Sequence, residues 1–183
     1  MIINIRGTHG SGKSTTIKNM LTLYKAQPES VNHKGKALHY QMTISGKPAY
    51  AVGNYDKACG GCDSIQPYSL IWPEVVRLAA LGHVLFEGAL VSSSYGNIGR
   101  ASETYGDQFI FAFLNTPLSV CLARIQQRRL DRGDHRPLNP KNTEGKFNSI
   151  HKSIEKIRAL QRRVVILDHQ HPENQILELL NNG

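Results

Sequence analysis

Three isoleucines, Ile2, Ile3 and Ile5, lead into Gly7-Thr8-His9-Gly10-Ser11-Gly12-Lys13-Ser14, and Ile17, Met20, Leu21 and Tyr24 follow at helical spacing. The order is strand, G-x-x-x-x-G-K-[ST] loop, helix, with the helix predicted from Lys13 to about Lys25. Glycines let the loop wrap so that successive N–H groups point inward, and the helix N-terminus adds partial positive charge. Such a loop implies a bound nucleoside triphosphate, contacted by Gly10, Ser11, Gly12, Lys13, Ser14 and Thr15. Lys13 then addresses the β/γ-phosphates and the Ser14 hydroxyl ligates Mg²⁺. A dinucleotide fingerprint would need a glycine where Thr15 stands. A glycine-rich turn that merely caps a helix is the plain alternative, and the Lys13-Ser14 pair with its flanking elements argues against it.

Beyond this unit the chain alternates strand and helix patterns, which argues for an α/β fold with a mostly parallel sheet and helices on both faces. Residues 37–55 read as two short strands around Ser45-Gly46-Lys47-Pro48, followed by a loop over residues 56–67. A helix is expected near residues 68–81, ended by Gly82, and a buried strand from His83 ends in Glu87-Gly88. Residues 89–107, rich in Ser, Gly and Asn, read as a long functional loop. Phe109 to Leu114 is a continuous apolar strand. Thr116-Pro117 reads as an N-cap and first helical residue of a helix to about Leu130. Residues 131–146 read as mobile, a basic helix carries Phe147, Ile150, Ile154 and Ile157 on one stripe, and a last strand and helix close the chain. All 183 residues are expected to form a single domain.

The net charge of +8 is concentrated. Residues 124–163 hold twelve Lys/Arg against four Asp/Glu, which equals the whole excess of the chain. Such a concentration suits a polyanion, either nucleotide phosphates or a nucleic-acid backbone, against the plainer reading of a solvated helix face. Cys59, Cys62 and Cys121 are too few and too odd for a disulfide framework, which fits a reducing cytoplasm. The first strand begins at Ile2, leaving no room for a signal peptide, and no apolar run reaches bilayer length. A soluble, cytoplasmic chain with no membrane partner is expected.

Glu87 ends a buried strand at the edge where open α/β sheets bind ligands. It is read as holding a Mg²⁺-bound water or accepting a proton, with a helix-capping carboxylate as the alternative. Asp63, after Gly60-Gly61, is read as orienting or deprotonating an acceptor hydroxyl; Asp56 is its alternate, and an N-cap or Asx-turn its plain reading. Arg124 and Arg128 lie four apart on one helical face and, with Arg132 and Arg136, can neutralise charge on a transferring phosphoryl group; ion pairs with Asp131 or Asp134 are the alternative. Cys59-x-x-Cys62 offers two ligands with no second pair, so metal and redox roles are weak. Tyr55, Tyr68, Trp72, Tyr95 and Tyr105 flank the acceptor loops; stacking on a base competes with core packing.

In this order, the 7–14 loop, the acid ending Val84-Leu85-Phe86-Glu87-Gly88 and the Thr-Pro-helix unit bearing Arg124, Arg128 and Arg129 resemble the P-loop nucleoside and nucleotide kinases over nearly the whole chain. The resemblance implies a five-stranded parallel sheet of order 2-3-1-4-5, ATP and Mg²⁺ as cofactors, and a mobile lid at about residues 131–146. The 37–67 segment departs from the plain pattern as an acceptor-binding insert. Gly53-Asn54-Tyr55-Asp56, Cys59-Gly60-Gly61-Cys62-Asp63-Ser64-Ile65 and Phe86-Glu87-Gly88 more narrowly resemble phage 5-hydroxymethyluracil DNA kinases. That likeness implies transfer of the γ-phosphate to a hydroxymethyl group on a base in DNA, a modified pyrimidine that must leave the stack to enter a cleft. Tyr55, Asp56, Asp63, Tyr95 and Arg100 are then the acceptor contacts, and Lys152, Lys156 and Arg163 touch the DNA backbone. Two rivals remain: a kinase of free nucleosides or nucleoside monophosphates, and a non-enzymatic nucleotide switch. For the switch, the GTPase motifs D-x-x-G and N-K-x-D are both missing from the sequence.

Overall fold

In the computed structural model, which describes residues 1–31, 37–56, 60–93 and 96–182, one mixed seven-stranded sheet organises the chain. Strand β1 (Ile2–Arg6) lies between β5 (His83–Glu87) and β6 (Phe109–Leu114), parallel to both. All three are buried along their length, as continuous apolar runs covered on both faces must be. Outside β6 lies β7 (Val164–Leu167); outside β5 lies β4 (Lys47–Val52), which folds back antiparallel on β3 (Ala37–Ile44), with β2 (Gln27–Val31) beyond it. The order is β2-β3-β4-β5-β1-β6-β7. The expected five strands in order 2-3-1-4-5 are thus corrected to seven, and the difference lies in β2 and β3 added antiparallel at one edge. Pro28 and Glu29 deny β2 a recognisable strand pattern; a proline is tolerated in that strand because β2 forms the sheet's edge.

Side chains alternate between the two faces with the strand period of two. Ile2, Val84, Phe86, Phe109, Phe111 and Phe113 meet Val75 and Leu78 of α2 (Ile71–Ala79) and Ile150, Ile154 and Ile157 of α6 (Lys141–Ala159). Ile3, Ile5, Leu85, Ile110 and Ala112 meet Ile17 and Met20 of α1 (Lys13–Leu23) and Ile176 and Leu180 of α7 (Pro172–Asn181). Full burial of each such large side chain contributes roughly 1.5–3 kcal/mol.

Within residues 89–107, expected as a loop, the described residues include helices α3 (Ala89–Ser93) and α4 (Gly96–Tyr105). Helix α5 (Leu118–Leu130) begins after Pro117; Thr116 does not cap it but donates its hydroxyl to Ser11 O at 2.7 Å. Because α6 starts at Lys141, residues 141–146 are helical, and only 131–140 remain irregular in the segment expected as a mobile lid. Among the described residues no helix is long and apolar enough to cross a membrane.

Candidate active site

The 7–14 loop, the C-terminal end of β5, and residues of α1, α5 and the start of α7 line a cavity of about 500 Å³. The loop is pressed against α5: a Cβ on Gly10 (φ +77°) would stand 2.3 Å from Cys121 O, so a side chain there has neither the backbone angle nor the space. Arg124 Nη1 reaches Gly10 O and Ser11 O, each at 3.4 Å, and with Thr116 it draws these carbonyls towards α5. Lys13 is buried, and its Nζ donates to Gly7 O (2.8 Å) and Thr8 O (3.0 Å). Burial pulls the Lys13 ammonium below its usual pKa, while Glu87 and Asp63 oppose that pull.

Glu87 is 2% exposed and accepts the Ser14 hydroxyl on Oε1 at 2.8 Å. Burial pushes its carboxyl up to about 7, against the pull of Lys13 and the Ser14 bond. Its neighbour is backbone: a Cβ on Gly61 (φ +78°) would meet Glu87 Oε1 at 2.2 Å, so the 60–63 turn lies directly on the carboxylate. Of the Gly60-Gly61 pair noted in the sequence, Gly61 serves this close approach, whereas Gly60 lies against the Asn54 carbonyl.

Asp63 also lines the cavity, but its oxygens accept the Ala89 N–H (2.7 Å) and the Leu90 N–H (3.2 Å), capping α3. Arg6, buried at the end of β1, holds the other end of α3 through Val91 O (3.0 Å) and Ser92 O (2.8 Å), with its guanidinium over Phe111 and Phe113. Asp56 sits outside the cavity and accepts bonds from Tyr40 and Asn54, each at 2.7 Å, which hold its carboxyl below its usual range. Tyr55 packs in the core, edge-on to Tyr40, its hydroxyl donating to Val52 O; it is not placed to stack on a ligand. Trp72 likewise packs against Tyr105 and Phe109, with Tyr68 beside that core.

Of the basic set, Arg124 and Arg128 line the cavity. Arg136 pairs with Asp134, which Arg129 also holds, and Arg132 lies with them on an exposed groove over residues 132–136 rather than on the cavity. Arg163 donates to Asp107 O, whereas Lys152 and Lys156 are exposed on α6. Arg100 belongs to α4; Tyr95 and Cys59 lie outside the described residues, and Cys62 is a buried free thiol. Thr15 and Ser14 line the cavity together. So do residues the sequence did not single out: His9 on the loop, Asn19 on α1, Gln127 on α5, and His169, Gln170 and Glu173 before and within α7. The strand order alone brings these remote segments together, so only His9 carried a local signal, as a side chain inside the motif.

No family model matches the chain. It is 39% identical over 183 residues, covering 98% of itself and 96% of the relative, to a 5-hmdU DNA kinase of Pseudomonas phage PaMx11. A 5-hmdU DNA kinase of Pseudomonas phage M6 is 34% identical over 69% of this chain and 71% of its own length. One from Delftia phage PhiW-14 is 26% identical over 85% of this chain and 63% of the relative. The Lys13, Ser14 and Glu87 cluster therefore sits in a chain whose likeness to the PaMx11 kinase covers nearly its whole length, and the chain belongs to the 5-hmdU DNA kinase family.

Proposed function

We propose that this chain transfers the γ-phosphoryl group of ATP to the hydroxymethyl group of 5-hydroxymethyluracil in DNA, with a P-loop kinase fold as its frame. The near full-length likeness to the Pseudomonas phage PaMx11 kinase carries the reading. Two features of the fold support it: counted by themselves, the parallel strands β4-β5-β1-β6-β7 run 2-3-1-4-5, and Lys13, Arg124 and Arg128 converge on one cavity.

Phosphoryl transfer asks the protein for position and charge rather than covalent chemistry. Lys13, held by two loop carbonyls, swings its ammonium onto the β/γ-phosphates when nucleotide enters. Arg124 and Arg128 neutralise charge on the transferring group. The Ser14 and Glu87 oxygens, 2.8 Å apart at the cavity, fit a hard cation such as Mg²⁺: Ser14 would ligate it directly and Glu87 through water. When bound, the cation supplies charge neutralisation on the phosphates. A cavity of about 500 Å³ admits no duplex, so the target nucleotide is taken out of the stack.

The test is transfer of label from γ-labelled ATP to hydroxymethyluracil DNA, matched thymine DNA, and free nucleosides and monophosphates. Label on the hydroxymethylated DNA alone is expected. Label on a free nucleotide instead makes this a small-molecule kinase and removes the DNA acceptor.

A further inference from the structure

A hydroxyl that attacks phosphorus must shed its proton, and the cavity lining offers five side chains able to take one: His9, Asp63, Glu87, His169 and Glu173. Four are engaged. Asp63 caps α3 through Ala89 and Leu90, and Glu87 is buried under the Ser14 bond. Glu173 Oε1 accepts from Asn19 at 2.6 Å, and His169 Nδ1 stands 3.6 Å from Asp168 Oδ1. His9 is exposed to solvent, and among the described residues it has no hydrogen bond or ion pair. It belongs to the loop whose backbone would hold the phosphates and lines the same cavity as Asp63.

We propose that His9 is the group that takes the acceptor's proton; this rests on the kinase reading above. As the hydroxymethyl oxygen forms its bond to the γ-phosphorus, the bond from that phosphorus to the β,γ-bridging oxygen breaks. ADP leaves with the electron pair, and the hydroxyl proton passes to an imidazole nitrogen of His9, which returns it to water after product release. The surroundings suit the role. Lys13 from α1, Lys146 from α6 and Arg128 from α5 face the ring as cations, and Asp63 from the 62–64 turn as the one anion. Partial desolvation first, and the three cations after it, hold the imidazole below its ordinary 6.5, so at neutral pH it is an uncharged acceptor. The same cations stabilise the alkoxide character that develops on the acceptor oxygen.

The experiment compares wild type, His9→Gln and His9→Ala in steady-state phosphorylation of hydroxymethyluracil DNA across pH, with nucleotide binding and thermal unfolding measured alongside. Loss of a general base is expected to lower kcat by about 10²-fold or more. Nucleotide affinity and unfolding temperature stay near wild type, because the side chain is exposed. The wild-type acid limb, with its midpoint below about 6.5, disappears in His9→Gln, and added imidazole restores rate to His9→Ala. A His9→Gln kcat within about twofold of wild type, or an acid limb that survives it, overturns the assignment. Loss of nucleotide binding together with rate does so too, by making His9 part of the loop's shape. A wild-type protein that labels no hydroxymethylated DNA at any pH overturns the acceptor reading instead, so the two failures are distinct.

Discussion

Glu87 ends a strand in which every residue is buried, and a carboxyl there resists ionisation up to about pH 7. The unfolded carboxyl ionises near its ordinary 4.5, so between 4.5 and about 7 the native state holds more protons than the unfolded one. Stability is therefore lost as pH rises through that window, by roughly 3 kcal/mol in all. Glu87→Gln keeps an oxygen for Ser14 and removes the charge. Urea unfolding at several pH values is expected to show that variant nearly flat across the window, more stable than wild type at neutral pH, and deficient in transfer. Equal slopes in the two proteins would show that the folded carboxyl is not raised. Lys13→Ala is expected to cost about 10²–10³-fold in kcat, read by the same labelled-phosphate assay. The motif residues were legible because their chemistry is written in consecutive positions. For Asp63 the plain reading of an N-cap is the one the hydrogen bonds show, but the helix it caps, α3, was concealed by the Ser-rich sequence.

Helix α3 has five residues, too few to stand by itself, and it persists because opposite charges hold its two ends. Asp63 meets the positive N-terminus and Arg6 the carbonyls at the C-terminus. Asp63→Ala is expected to destabilise the protein by about 1 kcal/mol, the usual worth of a cap, measured by denaturant midpoint at unchanged m-value. Gly10→Ala is expected to do worse, at several kcal/mol, since it combines an unfavourable φ with a collision against the α5 backbone; a melting temperature within a degree or two of wild type would contradict it. Strand β6 could be read to the residue and β1 and β5 nearly so, because continuous apolar runs bounded by polar residues permit little else. Helices α3 and α4 are held by side chains remote in sequence, and composition carries no trace of such support.

Across the whole molecule the basic excess divides. Arg129 and Arg136 are spent on Asp134, Arg158 on Glu155 and Arg162 on Glu103, while Arg128 lines the cavity and Lys152 and Lys156 stand exposed on α6. If α6 meets the DNA backbone, Lys152→Ala with Lys156→Ala is expected to weaken binding evenly across sequences and to reduce the salt slope by roughly two; an unchanged slope assigns that face to solvent. The strand order has a consequence for how the chain comes together in time. Residue 2 pairs with residues 84 and 109, whereas β2, β3 and β4 find one another locally. Non-local pairings form late, so in pulse-labelled hydrogen exchange the β3–β4 amides should be protected before those of β1. The loop at 7–14 rests on Thr116 and Cys121, so a nascent chain that has yet to reach them carries the whole motif without a site, and nucleotide capture would report that synthesis has passed α5.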